Sequence, residues 1–257
     1  MIGTIIKTVL TVTACLFIMG CPGGDKTTST QYIENARNQM AQNKPEAAVI
    51  AYRNALQQDP DNETALFELA EVYTVLHQFE TAKRYYHMAS GENPENVLPL
   101  WRLAQLHLSE GRLLEARSYV NQIFAIDPEY VQAHHILADI QIMENDQAAA
   151  IETLEKAVDI DPETIETHIR LAKIYAQIND THSAERAFHN ILAIDPSHQE
   201  SALKLADLYV SSGEPEKAEK LLTDIAATPG ATPRKYTDLA RFLETRGKFD
   251  AAEINYI

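Results

Sequence analysis

The chain of 257 residues is poor in glycine, cysteine and basic residues. It has only nine glycines, whereas alanine, leucine, glutamate and glutamine are abundant and lose little rotamer freedom in a helix. Its two cysteines, Cys15 and Cys21, exclude a framework of several disulfides. The 22 basic residues against 37 acidic ones give a net charge of −15, which repels phosphate backbones. We therefore predict an all-α protein that does not bind nucleic acid.

Motifs of common catalytic and cofactor sites are also missing. The sequence has no His-Glu-x-x-His metalloprotease motif, no Gly-x-Ser-x-Gly nucleophile elbow, no glycine-rich phosphate loop and no Cys-x-x-Cys pair. We therefore predict that the chain is not an enzyme and that it has neither a cofactor nor a metal site.

The segment 1–20 has the pattern of an export signal. A short start with Lys7 precedes an apolar run over 8–19, about 12 residues long, whereas a membrane-spanning helix needs roughly 20. The sequence Ile18-Met19-Gly20-Cys21 resembles the lipobox of bacterial lipoproteins, in which the cysteine is acylated and becomes the mature N-terminus. This resemblance implies a signal peptide over 1–20 and a lipid anchor at Cys21.

Other interpretations of this segment remain open. Val12-Thr13-Ala14-Cys15 is also similar to a lipobox, although cleavage before Cys15 would leave the apolar residues 16–19 on the mature protein. Plain secretion and an uncleaved membrane anchor are the remaining alternatives.

Residues 21–30 are expected to comprise the lipidated cysteine and a flexible tether. The segment from Pro22 to Thr30 is polar and shows no apolar period. Acyl chains, at ~0.8 kcal/mol per buried methylene, would hold Cys21 in a lipid bilayer. In Gram-negative lipoproteins an aspartate after the cysteine favours retention in the inner membrane, and this chain has Pro22 there. The resemblance thus implies an outer-membrane lipoprotein of the cell envelope that faces the periplasm.

The rest of the chain repeats at a constant interval. Pairs of Asp or Asn followed by Pro recur without insertion, at Asp59-Pro60, Asn93-Pro94, Asp127-Pro128, Asp161-Pro162 and Asp195-Pro196. Alignment on these prolines gives repeats 1 to 7, at 29–62, 63–96, 97–130, 131–164, 165–198, 199–232 and a partial 233–257. The interval between repeats is about 34 residues, and a period of that length is typical of stacked helical hairpins.

Two places in the repeat, counted from its first residue, hold alanine every time. Place 8 holds Ala36, Ala70, Ala104, Ala138, Ala172, Ala206 and Ala240. Place 20 holds Ala48, Ala82, Ala116, Ala150, Ala184, Ala218 and Ala252. Alanine at these places lets two helix backbones approach closely.

This pattern resembles the tetratricopeptide repeat (TPR). The resemblance implies that residues 31–257 form a right-handed superhelical solenoid of antiparallel helix pairs, with a concave and a convex surface. Place 15, between the two helices, holds residues that tolerate a left-handed backbone, namely Asn43, Gly111, Asn145, Asn179, Gly213 and Gly247. In this family the first helix of each pair lines the concave wall, chiefly through places 2, 5, 9, 12 and 13.

Those places form a candidate groove for a protein partner. Apolar and aromatic residues there predict a strip that binds an amphipathic helix or an extended apolar segment, with Trp101, the only tryptophan, as its anchor. The predicted groove consists of Phe67, Glu71, Leu98, Trp101, Gln105, Leu108, His135, Asp139, Ile142, Met143, Ile169 and Lys173. The alternative is that this stripe packs against neighbouring repeats.

Histidines and basic residues do not complete a known site. His107, His134 and His168 occupy places that normally hold large core residues, so we expect packing residues and not metal ligands. Chaperone-binding TPRs grip a C-terminal carboxylate with lysine, asparagine and arginine at set places, where this chain has residues such as Phe67 and Trp101. Recognition of chaperone tails is therefore not expected.

Two classes of function follow. The preferred one is a membrane-anchored scaffold that binds a protein partner of the cell envelope, as similar TPR lipoproteins do for pilus secretins, outer-membrane insertion machinery or exopolysaccharide export. The alternative is a targeting or regulatory module of a longer protein with a catalytic domain beyond residue 257. Repeat 7 stops inside its second helix without a polar capping helix, which predicts a longer native chain.

Overall fold

A computed structural model describes residues 26–227, 233–245, 247–248 and 252. This part of the chain forms thirteen α-helices and no strand. Their bounds are α1 Lys26–Ala41, α2 Pro45–Gln58, α3 Glu63–Val75, α4 Phe79–Glu92, α5 Leu98–Ser109, α6 Leu113–Ile126, α7 Val131–Met143, α8 Gln147–Ile160, α9 Ile165–Gln177, α10 Thr181–Ile194, α11 Gln199–Ser211, α12 Pro215–Ala226 and α13 Pro233–Thr245. No helix in these ranges has the length and apolar content needed to cross a membrane. The predicted signal peptide and Cys21 lie outside the described residues.

Consecutive helices pack as hairpins, with α1 against α2, α3 against α4, and so on along the chain. The chain divides into two compact units, Met1–Glu92 with α1 to α4, and Asn93–Ile257 with α5 to α13. The predicted all-α architecture of repeated helix pairs is confirmed.

Alanine at places 8 and 20 lies in the contact between the two helices of each pair. All fourteen of these alanines are at most 2% exposed. Larger side chains fill the space beside them, and Leu69, Leu103 and Leu205 at place 7 are fully buried. The small residues therefore set the distance between the paired helices, and the leucines supply the apolar area that stabilises the pair.

The first helix begins earlier than the sequence pattern predicts. Because α1 starts at Lys26, the assignment of residues 26–30 to a flexible tether is wrong. Ser29 is fully buried, and its hydroxyl donates a hydrogen bond of 3.2 Å to the carbonyl oxygen of Ala55 in α2. The polar composition of this segment is thus compatible with a packed helix, since the buried hydroxyl has a partner.

Place 15 has a left-handed backbone in every repeat. The six residues predicted there have φ between 56° and 79°, which confirms the prediction. Repeat 2 carries His77 at this place, and it also has a φ of 56°. Histidine is not a typical helix-ending residue, so its own preference does not predict this conformation. The turn is imposed by the helix pair that it connects.

Replacing His77 by glycine should stabilise the first unit. A positive φ is unfavourable for a residue with a β-carbon and is free of that penalty in glycine. We expect His77→Gly to raise the free energy of unfolding by about 0.5–1 kcal/mol in urea titrations followed by circular dichroism. The matched control is His87→Gly, at an exposed position inside α4, where glycine should destabilise by about 1 kcal/mol. Effects of the same sign in both variants would contradict this account.

Candidate functional site

A cleft of about 440 Å³ opens in the second unit between the first helices of repeats 3, 4 and 5. Its lining consists of Trp101, Gln105, Leu108 and Ser109 from α5, Gln132, His135, Ile136 and Asp139 from α7, and Glu166 and Arg170 from α9. Residues three or four apart share a helix face, so Trp101, Gln105 and Leu108 line the cleft together. We call this surface the α5–α9 cleft.

One side of the cleft is apolar and centred on Trp101. The indole and Leu108 are half-buried and pack against a core cluster that contains Ile136, which is 4% exposed. The guanidinium carbon of Arg102 lies 4.5 Å from the centroid of the Trp101 ring, within the range of a cation–π interaction. The same guanidinium donates a hydrogen bond of 3.1 Å to the side-chain oxygen of Gln105. These contacts hold the indole in place, so little rotamer freedom is left to lose when a partner binds.

The other side of the cleft is polar and joins α7 to α9. Arg170 lies between two carboxylates, with Nη1 2.5 Å from Asp139 Oδ1 and Nε 2.9 Å from Glu166 Oε1. One turn away, His135 Nε2 lies 2.8 Å from the hydroxyl of Thr167, and both residues are buried. Two polar links therefore fix the spacing of α7 and α9.

His135 contributes no positive charge to the cleft at neutral pH. Burial disfavours its charged form and lowers its pKa to about 4, and the nearby Arg170 and His134 act in the same direction. The charges of this cleft are those of Asp139, Glu166 and Arg170.

Five of the predicted groove residues line the α5–α9 cleft, namely Trp101, Gln105, Leu108, His135 and Asp139. His135 is only 8% exposed and is bonded to Thr167, so it forms the wall and offers little surface to a partner.

Seven predicted residues do not line this cleft. Leu98, Met143 and Lys173 are exposed at other positions of α5, α7 and α9. Ile142 and Ile169 are half-buried and pack against the core of the second unit, as the packing alternative expected.

Phe67 and Glu71 belong to the first unit, where both are half-buried. The ring of Phe67 lies 5.7 Å from that of Tyr86, and the Tyr86 hydroxyl donates a hydrogen bond of 2.5 Å to Glu71.

Place 6 was not among the predicted groove places, yet it supplies Arg170. In two pairs of repeats, a side chain at place 6 contacts the side chain at place 9 of the preceding repeat. Arg37 and Glu68 make this contact in the first unit at 2.5 Å, and Asp139 and Arg170 make it in the second at 2.5 Å. We call such a pair a rung. Opposite charges 31 residues apart are the sequence signal that could have identified these rungs.

The histidines behave largely as packing residues. His107 and His168 are buried as predicted, and His168 Nε2 lies 2.8 Å from the carbonyl oxygen of Pro162. His134 makes the equivalent contact with Pro128 at 3.1 Å but is only half-buried. Within the described ranges, no group of three or more His, Cys, Asp or Glu side chains could hold a metal ion.

A second cleft of about 600 Å³ lies between α8, α9 and α10. Two of its polar side chains already have partners within its own wall. The Tyr175 hydroxyl donates a hydrogen bond of 3.0 Å to Glu155, and Arg186 donates one of 3.1 Å to Ser183. The first bond joins repeats 4 and 5 and the second lies within α10, so both use polar groups of the cleft for contacts inside the chain, which makes this cleft the weaker candidate for binding.

Comparisons with known proteins agree with the assignment of helical repeats. A tetratricopeptide repeat model matches residues 39–88, 76–140 and 179–234, which is more than half of the chain, and a second such model matches residues 131–164. No curated protein is similar enough to this chain to count as a match.

Several solved structures share the fold. A tetratricopeptide repeat protein from Parabacteroides merdae is 16% identical, with 89% of this chain and 91% of that chain covered and a TM-score of 0.61. The pilF protein of Pseudomonas aeruginosa is 17% identical, with 85% and 98% covered and a TM-score of 0.64. PilW, described as a widely conserved type IV pilus biogenesis factor, is 19% identical, with 78% and 93% covered and a TM-score of 0.63. At these identities the likeness shows the fold alone, and it confirms the predicted solenoid of helix pairs.

Proposed function

We propose a scaffold function for this chain, which belongs to the tetratricopeptide repeat family. In this proposal the chain is a membrane-anchored protein that faces the periplasm and binds a segment of a partner protein in the α5–α9 cleft. Through that contact it supports the assembly or export of an envelope machine of the pilus, outer-membrane or exopolysaccharide type.

The observation that carries the proposal is the composition of the α5–α9 cleft. A half-buried aromatic side chain, Trp101, lies beside Leu108 and Ile136, and the ion-paired Arg170 lies on the opposite side. An apolar centre with a polar rim is the arrangement in which a few residues supply most of the energy of protein binding. Because the cleft runs across the first helices of three successive repeats, it fits a chain segment better than a compact metabolite.

The envelope location rests on two further observations. The N-terminal pattern is that of an export signal followed by Cys21 in a lipobox-like sequence. The fold is shared with a pilF protein and with a type IV pilus biogenesis factor, which favours a pilus-type machine among the candidates.

One cross-linking experiment tests both parts of the proposal. A photo-reactive amino acid in place of Gln105, which lines the cleft, should capture an envelope protein in cells of the native host. The same chain should incorporate a clickable fatty acid at Cys21. Mass spectrometry of the captured band and in-gel detection of the fatty acid give the two results.

Matched variants define what counts against the proposal. The photo-reactive residue in place of Gln122, exposed on α6 and outside the cleft, should capture nothing. Cys21→Ala should abolish both fatty-acid labelling and capture, whereas Cys15→Ala should preserve both. Equal capture from Gln105 and Gln122 would refute the cleft, and a label that survives Cys21→Ala would refute the anchor.

A further inference from the structure

Side chains at places 11 and 23 of a repeat contact each other across the helix pair. In repeat 2, Tyr73 and Tyr85 occupy these places and stack with their ring centroids 5.5 Å apart. In repeat 3, His107 and Tyr119 stack at the same places with their centroids 5.4 Å apart. The tyrosine on the second helix thus covers the ring on the first helix in both repeats.

Repeats 4 and 6 cover place 11 differently. In repeat 4 the Thr153 hydroxyl, at place 23, donates a hydrogen bond of 2.9 Å to the side-chain oxygen of Gln141, at place 11. In repeat 6 the ammonium group of Lys217 lies 5.4 Å from the centroid of the Tyr209 ring, at place 11. A tyrosine at this place therefore accepts two kinds of cover, an aromatic ring or a cation.

Repeat 5 has neither kind of cover. Its place 11 holds Tyr175, but place 23 holds Ala187, whose side chain is a methyl group. Tyr175 makes no ring-stacking or cation–π contact with any residue that the structure describes, and it is 9% exposed, against 3% for Tyr73. Both Tyr175 and Ala187 line the second cleft, together with the apolar Val158 and Leu171. This space, which we call the α8–α10 cleft, thus lies where repeats 2 and 3 carry an aromatic ring.

The charged groups of the α8–α10 cleft favour a cation. Glu155 and Asp159 lie one turn apart on α8, and Arg186 on α10 is the one lysine or arginine in the lining. Asp159 is exposed and has no hydrogen-bond or ion-pair partner among the described residues. Arg186 already donates a hydrogen bond of 3.1 Å to Ser183. Two carboxylates against one guanidinium, in a chain with a net charge of −15, attract a positively charged ligand.

We propose that the α8–α10 cleft binds an aromatic side chain that lies next to a positive charge in a partner protein. The ring stacks on Tyr175, as Tyr85 and Tyr119 stack in repeats 2 and 3, and the cation pairs with Asp159. A cavity of about 150 Å³ holds a benzene ring. The cleft of about 600 Å³ is much larger, so it has room for the residues that flank the ring in a protein segment.

This site goes beyond the proposed function, because it does not depend on the α5–α9 cleft. On α9, the α5–α9 cleft is lined by Glu166 and Arg170, whereas the α8–α10 cleft is lined by His168, Leu171 and Tyr175. At about 3.6 residues per turn, these two sets project from opposite sides of the helix. Occupation of one cleft therefore leaves the other accessible.

Three small probes test the chemistry of the ligand. Phenethylamine has an aromatic ring and an ammonium group, cyclohexylethylamine has the same charge without the aromatic ring, and hydrocinnamate has the ring with a carboxylate. Ligand-observed NMR titrations with the full chain give the dissociation constants. Phenethylamine should bind about fivefold more tightly than cyclohexylethylamine, which cannot stack on Tyr175. It should bind about tenfold more tightly than hydrocinnamate, which is repelled by Asp159.

A blocked dipeptide tests the source of the ring. N-acetyl-Phe-Lys-amide carries the ring and the charge on a protein backbone, so it should bind about threefold more tightly than phenethylamine because more of its surface is buried. Binding no tighter than that of phenethylamine would identify a free aromatic amine as the ligand and would overturn the assignment to a partner protein.

Substitutions of Ala187 test the location of the site. Ala187→Tyr supplies the ring that repeats 2 and 3 carry, so it should weaken phenethylamine binding at least about tenfold without lowering the melting temperature. Ala187→Leu copies Leu221 at place 23 of repeat 6 and should weaken binding about fivefold, which preserves the test if the tyrosine variant fails to fold. Ala176→Tyr adds the same ring at an exposed position of α9 outside the cleft and should leave binding unchanged.

The carboxylate has its own matched pair of variants. Asp159→Asn should weaken phenethylamine binding about threefold, because the ammonium group loses its partner. Asp224→Asn, at an exposed position of α12, changes the net charge equally and should leave binding unchanged. Equal losses in the two variants would show an effect of net charge and would refute the role of Asp159.

The outcomes separate this inference from the proposed function. Absence of phenethylamine binding, equal binding of the three probes, or unchanged binding in both Ala187 variants would refute the α8–α10 site. If Trp101→Ala abolished phenethylamine binding, the probe would occupy the α5–α9 cleft, and only this inference would fail. If the photo-reactive residue in place of Gln105 captured no partner while phenethylamine bound as expected, the proposed function would fail and this inference would stand.

Discussion

Replacing Ala172 by leucine is expected to lower the free energy of unfolding of the second unit by about 3 kcal/mol. Ala172, at place 8 of repeat 5, is fully buried where α9 meets α10, and Ala184, at place 20 of the same repeat, is also fully buried in α10. Three additional carbon atoms have no room between the two backbones, so the helices must separate or the side chain must leave its preferred rotamer. Urea unfolding followed by circular dichroism measures the loss.

Ala176 provides the matched control on the same helix. It lies one turn after Ala172 but is exposed, so Ala176→Leu adds the same atoms without an opposing backbone. We expect its effect to stay within about 0.5 kcal/mol of wild type. If both leucines destabilised the unit equally, the loss would not come from close helix contact, and the explanation for the repeated alanines would be wrong.

The fold could be predicted because the same constraint recurs in every repeat. Each helix pair needs a small residue at the two places where the backbones meet, and the fourteen alanines make that requirement visible in one sequence. His77 shows the limit of this inference. Its left-handed backbone follows from the helix pair that surrounds it and not from the preference of histidine, so only the register predicts it.

The start of α1 could not be predicted for a related reason. Residues 26–30 have no apolar period, and polar threonine and serine residues are poor evidence for a helix. In the structure this segment also makes a tertiary contact, the hydrogen bond from Ser29 to the carbonyl oxygen of Ala55 in the next helix. Ala55 lies outside the segment, so the residue pattern of 26–30 alone does not predict this contact.

Only part of the candidate site could be predicted for the same reason. Places 5, 9 and 12 lie on one face of a helix, so helical periodicity alone brings Trp101, Gln105 and Leu108 together. Arg170 enters the cleft through a rung, that is, through the contact of one repeat with the preceding repeat. Helical periodicity describes one helix at a time, and the rungs appear only when the sequence is compared at an interval of 31 residues.

Replacing Trp101 by alanine should weaken peptide binding by about 30- to 150-fold, or roughly 2–3 kcal/mol. The substitution removes the one aromatic side chain of the indole type that lines the α5–α9 cleft and leaves Arg102 without this aromatic partner. The probe is a fluorescein-labelled peptide selected on the wild-type chain, and anisotropy titration gives the affinity. Because Trp101 is the only tryptophan, its emission reports on the cleft directly, and it should shift to shorter wavelength when an unlabelled peptide covers the indole.

Two variants distinguish a role of Trp101 in binding from a role in folding. Trp101→Phe keeps an aromatic ring against the core of the second unit, so it should retain the melting temperature while binding about three- to tenfold more weakly. Leu114→Ala truncates an apolar side chain that is 80% exposed on α6 and outside the cleft, and its binding should equal that of wild type. If Trp101→Ala bound within threefold of wild type, or if peptide binding left the tryptophan emission unchanged, the partner would occupy another surface. Trp101 would then serve only to pack the core cluster that contains Ile136, as the packing alternative for the aromatic stripe holds.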